Sequence, residues 1–210
     1  MRFTLAARCA CVLFVVSYLS ASAAGAELSG AAWVAKFPGS KAIADLEDDF
    51  EAKVTAFHGM LGTAGATTTI TSTLRPKERA FLMHWSWKIV KDGQDPQMIP
   101  TMAGVDINWW HGDLTTSKAK AQEMVNGYGI NGLGVAPALN SRHTEGKAID
   151  MQVTWSGNLS VTKKDGTAVT ISSTPRDSTN VDLITVAATY GVIHFTNVAA
   201  DKVHWSTDGH

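Results

Sequence analysis

The segment from Ser141 to Asp150 is the part of the sequence that most constrains how this chain folds. His143 and Asp150 stand seven residues apart, a span of roughly 23 Å when the backbone is fully extended. If both side chains bind one metal ion, the chain has to fold back between them. Gly146 lies between the two residues and permits such a reversal, because glycine adopts backbone angles that other residues avoid. The sequence therefore predicts a turn between the two residues.

The residues that follow this turn alternate in the manner of a half-buried strand. Ile149, Met151 and Val153 fall on one side of a strand predicted from Ala148 to Trp155, and Asp150 falls on the other side. The apolar side suits a hydrophobic core. Asp150 therefore points away from the core, as a metal ligand in a cleft should.

Two imidazoles and one carboxylate make a candidate zinc site from His143, Asp150 and His204. A catalytic zinc ion takes three protein ligands of these types and leaves its fourth position to water. Asp201, three residues before His204, is a spare carboxylate that can take a proton from this water. The residues thus predict a metal-dependent hydrolase.

The first 26 residues have the pattern of a secretory signal peptide. Arg2 and Arg8 give a positive start, an apolar run from Ala10 to Leu19 follows, and small residues fit cleavage after Ala23 or Ala26. The apolar run is shorter than the roughly 20 residues that span a bilayer, although retention as an uncleaved anchor is an alternative. We therefore expect a periplasmic or secreted protein.

Removal of this segment changes which side chains of the mature protein can bind a metal ion. Both cysteines, Cys9 and Cys11, lie within it, so a metal site in the mature protein has to use histidine and carboxylate ligands. The remaining residues, about 185, suit one domain with a substantial core, from position 27 to 210. Its net charge of −3, from 16 basic and 19 acidic residues, argues against nucleic acid as a partner.

The order of predicted elements indicates an α+β protein. Helical periodicity runs from Ser40, a suitable N-cap, to Leu61, and again from Lys77 to Lys91 and from Thr116 or Ser117 to Asn126. Asn180 can cap a last helix that ends near Tyr190. Short strands are predicted at 67–73, 148–155, 159–161, 168–171, 192–195 and 202–205. Helices come first and paired strands later, which favours helices packed on a small antiparallel sheet.

The motifs resemble those of the zinc D-Ala-D-Ala peptidases. This carboxypeptidase and dipeptidase family belongs to a wider group with lysostaphin-type enzymes and hedgehog domains. Its pattern S-x-H-x-x-G-x-A-x-D is met at every fixed position between Ser141 and Asp150, and its acid-x-x-His pattern is met by Asp201 and His204. Thr71 to Arg75 resembles the family's strand that ends in a substrate-binding arginine. The resemblance spans about Thr67 to Trp205.

The resemblance implies a role for each of these residues. It implies that His143, Asp150 and His204 bind zinc, that Asp201 is the general base, and that Arg75 and Ser141 hold the substrate's carboxylate. It also implies a hedgehog-like fold with the zinc site in a cleft on the sheet. Many members carry Glu at the position of Asp201, whereas some phage endolysin members carry Asp.

The expected activity is hydrolysis of peptidoglycan stem peptides, because these peptides lie in the compartment to which the chain is exported. A D,D-carboxypeptidase is preferred, since Arg75 and Ser141 suit a substrate with a free carboxylate. An endolysin-like endopeptidase fits the same motifs, either as a wall enzyme or as a toxin delivered to competing cells. A further alternative is a protein that is not an enzyme, namely a catalytically silent wall-binding domain in which zinc has only a structural role.

Overall fold

The structure is a computed structural model that describes residues 25–210. The predicted signal peptide lies outside the described residues except for its last two positions. Within the described range the fold is mixed α/β and compatible with the predicted α+β class, and no helix there has the length and apolar character to cross a membrane. The α-helices are α1 (Asp48–Thr63), α2 (Lys77–Trp87), α3 (Leu114–Gly127) and α4 (Val181–Thr189).

The strands form three small sheets within residues 25–210. They are β1 (Glu27–Leu28), β2 (Thr67–Ser72), β3 (Ile107–Asn108), β4 (Ala148–Thr154), β5 (Leu159–Thr162), β6 (Ala168–Ile171), β7 (Ile193–His194) and β8 (His204–Ser206). The largest sheet is antiparallel with the order β2-β4-β8-β7, β5 and β6 form a hairpin, and β1 pairs with β3 in parallel. Strand β4 therefore lies in the interior of the main sheet, between the edge strand β2 and the strand β8.

One hydrophobic core lies between the main sheet and helices α1 and α4. Alternate residues of β4, including Ile149, Met151 and Val153, are fully buried there, as the alternation in the sequence predicts. Phe57 from α1 packs its ring against that of Trp205 with 5.8 Å between centroids. This core fixes which face of β4 is exposed, and so leaves Asp150 on the opposite face.

A second hydrophobic core is formed by α2 and α3 together with Trp33 and Trp109. The expectation of N-terminal helices packed on the sheet therefore holds for α1, whereas α2 and α3 pack mainly on one another. Aromatic and long apolar side chains of α2, such as Phe81 and Trp87, supply this core. Burial of such side chains stabilises a fold by about 1.5–3 kcal/mol each.

Helix α1 begins later than its periodicity predicts, at Asp48 with Glu47 as the N-cap. Ser40, the predicted cap, instead accepts a backbone hydrogen bond from Ala42 at its hydroxyl, at 2.9 Å. The backbone of Ser40 pairs with that of Thr73 and Leu74 beyond the end of β2. The start of the segment before α1 is thus tied to the sheet, and only a short 3₁₀ turn, Ile43–Asp45, forms between it and α1.

Unlike α1, helix α3 starts earlier than predicted, because Asp113 caps it in place of Thr116 or Ser117. The Asp113 carboxylate accepts hydrogen bonds from the backbone N–H and the hydroxyl of Thr116 at 2.8 and 2.7 Å. By contrast, Asn180 caps α4 as predicted and accepts from the N–H groups of Asp182 and Leu183. Several oxygen-bearing side chains near the first turn can act as the N-cap. Sequence spacing alone does not decide which of them takes this position.

Candidate metal centre

The structure brings His143, Asp150 and His204 together, and one side-chain atom from each meets the others. Asp150 Oδ1 lies 3.1 Å from His143 Nε2 and 3.1 Å from His204 Nδ1. The two ring nitrogens are 3.3 Å apart. The three side chains are largely shielded from solvent, with exposed fractions of 5%, 21% and 12%. These residues can hold a metal ion.

The outer nitrogen of each imidazole ring is held by a backbone carbonyl. His143 Nδ1 lies 2.6 Å from the oxygen of Thr73, and His204 Nε2 lies 3.1 Å from the oxygen of His210. A carbonyl oxygen only accepts, so each outer nitrogen donates its proton. In the neutral rings His143 Nε2 and His204 Nδ1 therefore present lone pairs to the cluster, the arrangement found around metal-binding histidines.

The spacing of these three atoms fits a small tetrahedral ion. Zinc binds histidine nitrogen and carboxylate oxygen at about 2.0–2.2 Å, which puts neighbouring ligand atoms of a tetrahedron about 3.3–3.6 Å apart. The observed separations of 3.1, 3.1 and 3.3 Å are close to this value. Two lone pairs and a carboxylate oxygen at such distances repel one another unless a positive charge lies among them.

The electrostatics of the cluster also favour a positive charge. Burial opposes ionisation of Asp150, but when protons lie between its carboxylate and the two rings, the hydrogen bonds and charges of His143 and His204 outweigh burial and hold the pKa of Asp150 well below its usual range. Burial likewise disfavours the charged form of His204, yet the hydrogen bond and charge of Asp150 raise the pKa of His204 above its ordinary value. The cluster therefore keeps its carboxylate ionised and attracts a cation.

A short 3₁₀ turn, Arg142–Glu145, places His143 in the cluster. Gly146 ends the turn with φ of 71°, a left-handed conformation, and so lies where the sequence predicts the chain reversal. A Cβ at this position would lie 2.9 Å from the backbone nitrogen of Glu47, which donates a hydrogen bond to the Gly146 carbonyl. Both the backbone angle and the close approach of α1's N-cap thus call for glycine.

The register of the central sheet brings the other two ligands together. Asp150 in β4 lies directly opposite His204 in β8. On its other side, Asp150 pairs with Ser72 at a point where the register of β2 shifts by a bulge. Bulges occur often beside functional sites because they redirect neighbouring side chains. The ligands therefore stand on adjacent strands of a packed sheet, which holds them in place.

Asp201, the predicted general base, lies in the loop between β7 and β8 and outside the three-residue cluster. Its carboxylate accepts a hydrogen bond from the backbone N–H of Val203 at 3.3 Å. Its negative charge is one of the influences that raise the pKa of His204, although a smaller one than that of Asp150. Asp201 is thus close enough to act on the cluster electrostatically.

Arg75 lies on the side of the cluster formed by the end of β2. Its backbone N–H donates to the carbonyl oxygen of His143 at 3.0 Å, and its side chain lines a cavity of about 280 Å³. Burial and the neighbouring charge of Arg79 lower the pKa of Arg75, while the charge of Asp150 raises it. Since no carboxylate of residues 25–210 lies within 4 Å of its guanidinium, Arg75 acts on Asp150 only from a distance.

Ser141 lies on another side of the cluster and lines a cavity of about 370 Å³ together with His204 and His210. Its hydroxyl oxygen is buried and has no hydrogen-bond partner in the described part of the chain. The Thr144 hydroxyl, and not that of Ser141, bonds to the backbone of the turn. It accepts a hydrogen bond from the Ser141 N–H and donates one to the Ser141 carbonyl. Arg75 and Ser141, predicted to hold one carboxylate, therefore line different cavities.

Two residues of the site had no signal in the sequence. Thr73 and His210 act through their backbone carbonyls, and any residue can supply a carbonyl. His210 is held in place by the Ser206 hydroxyl, which accepts its backbone N–H at 3.1 Å, while an ion pair of Arg142 with Asp208 fixes the neighbouring segment. Only the folded chain shows that these groups orient the two imidazoles.

Comparison with known proteins gives no match to a protein-family model, to a curated protein or to a solved structure. The arrangement itself can bind a divalent cation with two imidazoles and one carboxylate. It also offers a nearby carboxylate in Asp201, a guanidinium in Arg75 and an unpaired hydroxyl in Ser141. These are the groups from which a function has to be inferred.

Proposed function

We propose that this protein is an exported zinc-dependent peptidase that hydrolyses peptide bonds in peptidoglycan stem peptides. The observation that carries the proposal is the convergence of His143, Asp150 and His204 within 3.3 Å, with both outer ring nitrogens donating to backbone carbonyls. Zinc is the metal that best suits two imidazoles and one carboxylate at tetrahedral spacing.

The motif resemblance gives the proposal its substrate class. We infer a D-Ala-D-Ala peptidase-like, hedgehog-type fold, which the four-stranded antiparallel sheet with ligands on its adjacent strands β4 and β8 supports. The signal-peptide pattern of residues 1–26 supports export to the periplasm or beyond, where stem peptides are found.

The chain's own residues account for binding and proton transfer. A bound zinc ion supplies Lewis acidity, which polarises a carbonyl group and lowers the pKa of water to about 7. Asp201 accepts the proton of the attacking water and passes it to the leaving amine, a contribution of roughly 10²–10⁴ in rate. The hydrogen bond from Val203 N–H orients the Asp201 carboxylate for this transfer.

Arg75 and Ser141 position the substrate on two sides of the cluster. The guanidinium of Arg75 holds the free terminal carboxylate, and the buried, unpaired hydroxyl of Ser141 bonds to a polar group of the substrate on the His204 side. This role of Arg75 makes a D,D-carboxypeptidase the preferred activity, with an endopeptidase as the alternative.

Metal analysis and product analysis test the proposal together. We expect one zinc ion per purified mature chain and release of single D-Ala residues from pentapeptide muropeptides. Cleaved cross-links or stem fragments would identify the endopeptidase instead. Failure of the zinc-loaded protein to cleave any muropeptide would reject the peptidase and favour a wall-binding domain with structural zinc.

The Asp201→Ala variant separates catalysis from metal binding. We expect this variant to retain zinc, because Asp201 is outside the ligand cluster, and to lose turnover by at least about a hundredfold. Asp49→Ala is a matched control, since Asp49 is an exposed residue of α1 whose carboxylate pairs with Lys53. Equal activity of Asp201→Ala and the wild type would remove Asp201 from the mechanism.

A further inference from the structure

A cationic cavity lies beside the metal cluster, on the β2 side. It is about 280 Å³ in volume, and its charged lining residues are Lys41, Arg75 and Arg79. Thr71 and Ser72, which also line it, connect it to the cluster, because Ser72 pairs with Asp150 in the sheet and the Thr71 hydroxyl approaches the Asp150 carbonyl at 3.4 Å. No carboxylate is among its lining residues.

Lys41, Arg75 and Arg79 all have hydrogen-bond donors that remain free to bind a ligand. Within residues 25–210, the side chains of Lys41 and Arg75 take part in no hydrogen bond or ion pair. Arg79 donates from Nη1 to the carbonyl of Val34 at 3.1 Å and stacks over the Tyr128 ring, which leaves further N–H groups free. Like charges brought together at a partly buried site are unfavourable unless an anion accompanies them.

The backbone holds Lys41 over this cavity. Ser40 N–H donates to the Leu74 carbonyl, and Thr73 N–H donates to the Ser40 carbonyl, both at 2.8 Å. Phe37, at the start of the same segment, has φ of 52°, a conformation that costs a bulky residue energy. The segment that carries Lys41 is therefore fixed to the end of β2, next to Arg75.

We propose that Lys41 and Arg79 bind a second carboxylate of the substrate, beside the terminal carboxylate held by Arg75. The preferred substrate is then a peptide whose terminal region carries two carboxylates within reach of one cavity. This inference rests on the proposed function for its substrate, but it adds two residues, Lys41 and Arg79, that lie outside the peptidase motifs. Guanidinium groups suit carboxylates because they form paired, charge-assisted hydrogen bonds.

Binding of a matched pair of small ligands to the metal-free protein tests the inference without turnover. N-acetylglutamate carries two carboxylates, and N-acetylglutamine differs from it only in having a neutral side chain. We expect nuclear magnetic resonance titration to show at least about tenfold tighter binding of N-acetylglutamate, the effect of one charge-assisted contact. Lys41→Gln and Arg79→Gln should each remove most of this preference.

Two further variants make the result specific. Lys118→Gln changes the net charge equally at an exposed residue of α3 and should leave the preference unchanged. Arg75→Gln should weaken both ligands alike, because both carry the carboxylate assigned to Arg75. If Arg79→Gln fails to fold, owing to its contacts with Val34 and Tyr128, the exposed residue Lys41 decides the question.

Equal binding of the two ligands by the wild type, or equal loss of preference in Lys118→Gln, would overturn the inference. Displacement of N-acetylglutamate by inorganic phosphate at lower concentrations would also overturn it, because the cavity would then be a phosphate site. These outcomes are independent of the proposed peptidase activity. A protein without hydrolytic activity can still show the preference, and an active peptidase can lack it.

Discussion

His143 Nδ1 donates a hydrogen bond of 2.6 Å to the carbonyl oxygen of Thr73, 70 residues earlier in the chain. The backbone N–H of Arg75 returns a hydrogen bond to the His143 carbonyl at 3.0 Å. The end of β2 therefore fixes both the ring orientation and the position of this ligand. Because these bonds belong to the fold, the folded chain itself sets the geometry of the candidate metal site.

Removal of zinc should lower the thermal stability of the protein without unfolding it. A ligand that binds only the folded state raises the free energy of unfolding by about 2.7 kcal/mol at a hundred times its Kd. We expect a chelator to lower Tm and added zinc to restore it, as measured by differential scanning calorimetry. His204→Ala should abolish this zinc-dependent shift, whereas His58→Gln, on α1, should keep it. The same shift in His204→Ala and wild type would contradict the ligand assignment.

Ser141→Ala and Thr144→Ala should separate substrate binding from stability. The Ser141 hydroxyl is buried without a partner, so its removal should leave the free energy of unfolding nearly unchanged. The Thr144 hydroxyl makes two hydrogen bonds to Ser141, and its loss should cost about 1–3 kcal/mol. We expect only Ser141→Ala to raise KM with normal stability in urea unfolding. A large loss of stability in Ser141→Ala would show that its hydroxyl serves the fold.

Gly146→Ala and Gly59→Ala should change stability in opposite directions. At Gly146 an alanine has to adopt φ of 71° and place its Cβ 2.9 Å from Glu47 N, so we expect a loss of more than about 1 kcal/mol. Gly59 lies within α1 with open space around it, and alanine there should add about 0.5–1 kcal/mol. Chemical denaturation of both variants measures the two effects. Similar values for both would mean that the turn at Gly146 tolerates a side chain.

Tyr128 should make the fold sensitive to alkaline pH. Burial raises the pKa of Tyr128 to about 12, and its hydroxyl donates to the Trp33 carbonyl at 3.2 Å. In the unfolded chain tyrosine ionises near pH 10. Its contribution to stability is therefore complete below about pH 10 and is lost as pH rises through about 12.

Urea unfolding at pH 8 and at pH 11 measures this loss. Tyr128→Phe should be less stable than the wild type at pH 8, because the hydrogen bond to Trp33 is missing. The difference between the two proteins should shrink at pH 11, since phenylalanine does not ionise. An unchanged difference across this pH range would show that Tyr128 does not govern the alkaline transition.

Several local features could be predicted from the sequence because their causes are local. The alternation in β4 indicated which side chains enter the core and left Asp150 on the opposite face. Asn180 was recognised as the cap of α4 from its own position. The reversal at Gly146 followed from the need to bring His143 and Asp150 together within one short segment.

Other features depend on contacts between distant parts of the chain. Ser40 was predicted to cap α1, but its pairing with the end of β2 leaves Glu47 in that role. Arg75 and Ser141 are predicted to hold the substrate's carboxylate, and only the tertiary structure shows which cavity each of them lines. No motif in the sequence indicates that Lys41 lines the cationic cavity. Its position is set by the backbone hydrogen bonds of Ser40 with Thr73 and Leu74.

The sequence by itself determined the residues that can bind a metal, the turn between two of them and the exposed face of their strand. Those properties follow from side-chain chemistry and from backbone preferences within a few residues. The tertiary structure alone decided the register that sets Asp150 opposite His204 and the carbonyls of Thr73 and His210 that orient the rings. Strand register and carbonyl placement result from burial of the whole core, and no single segment contains that information.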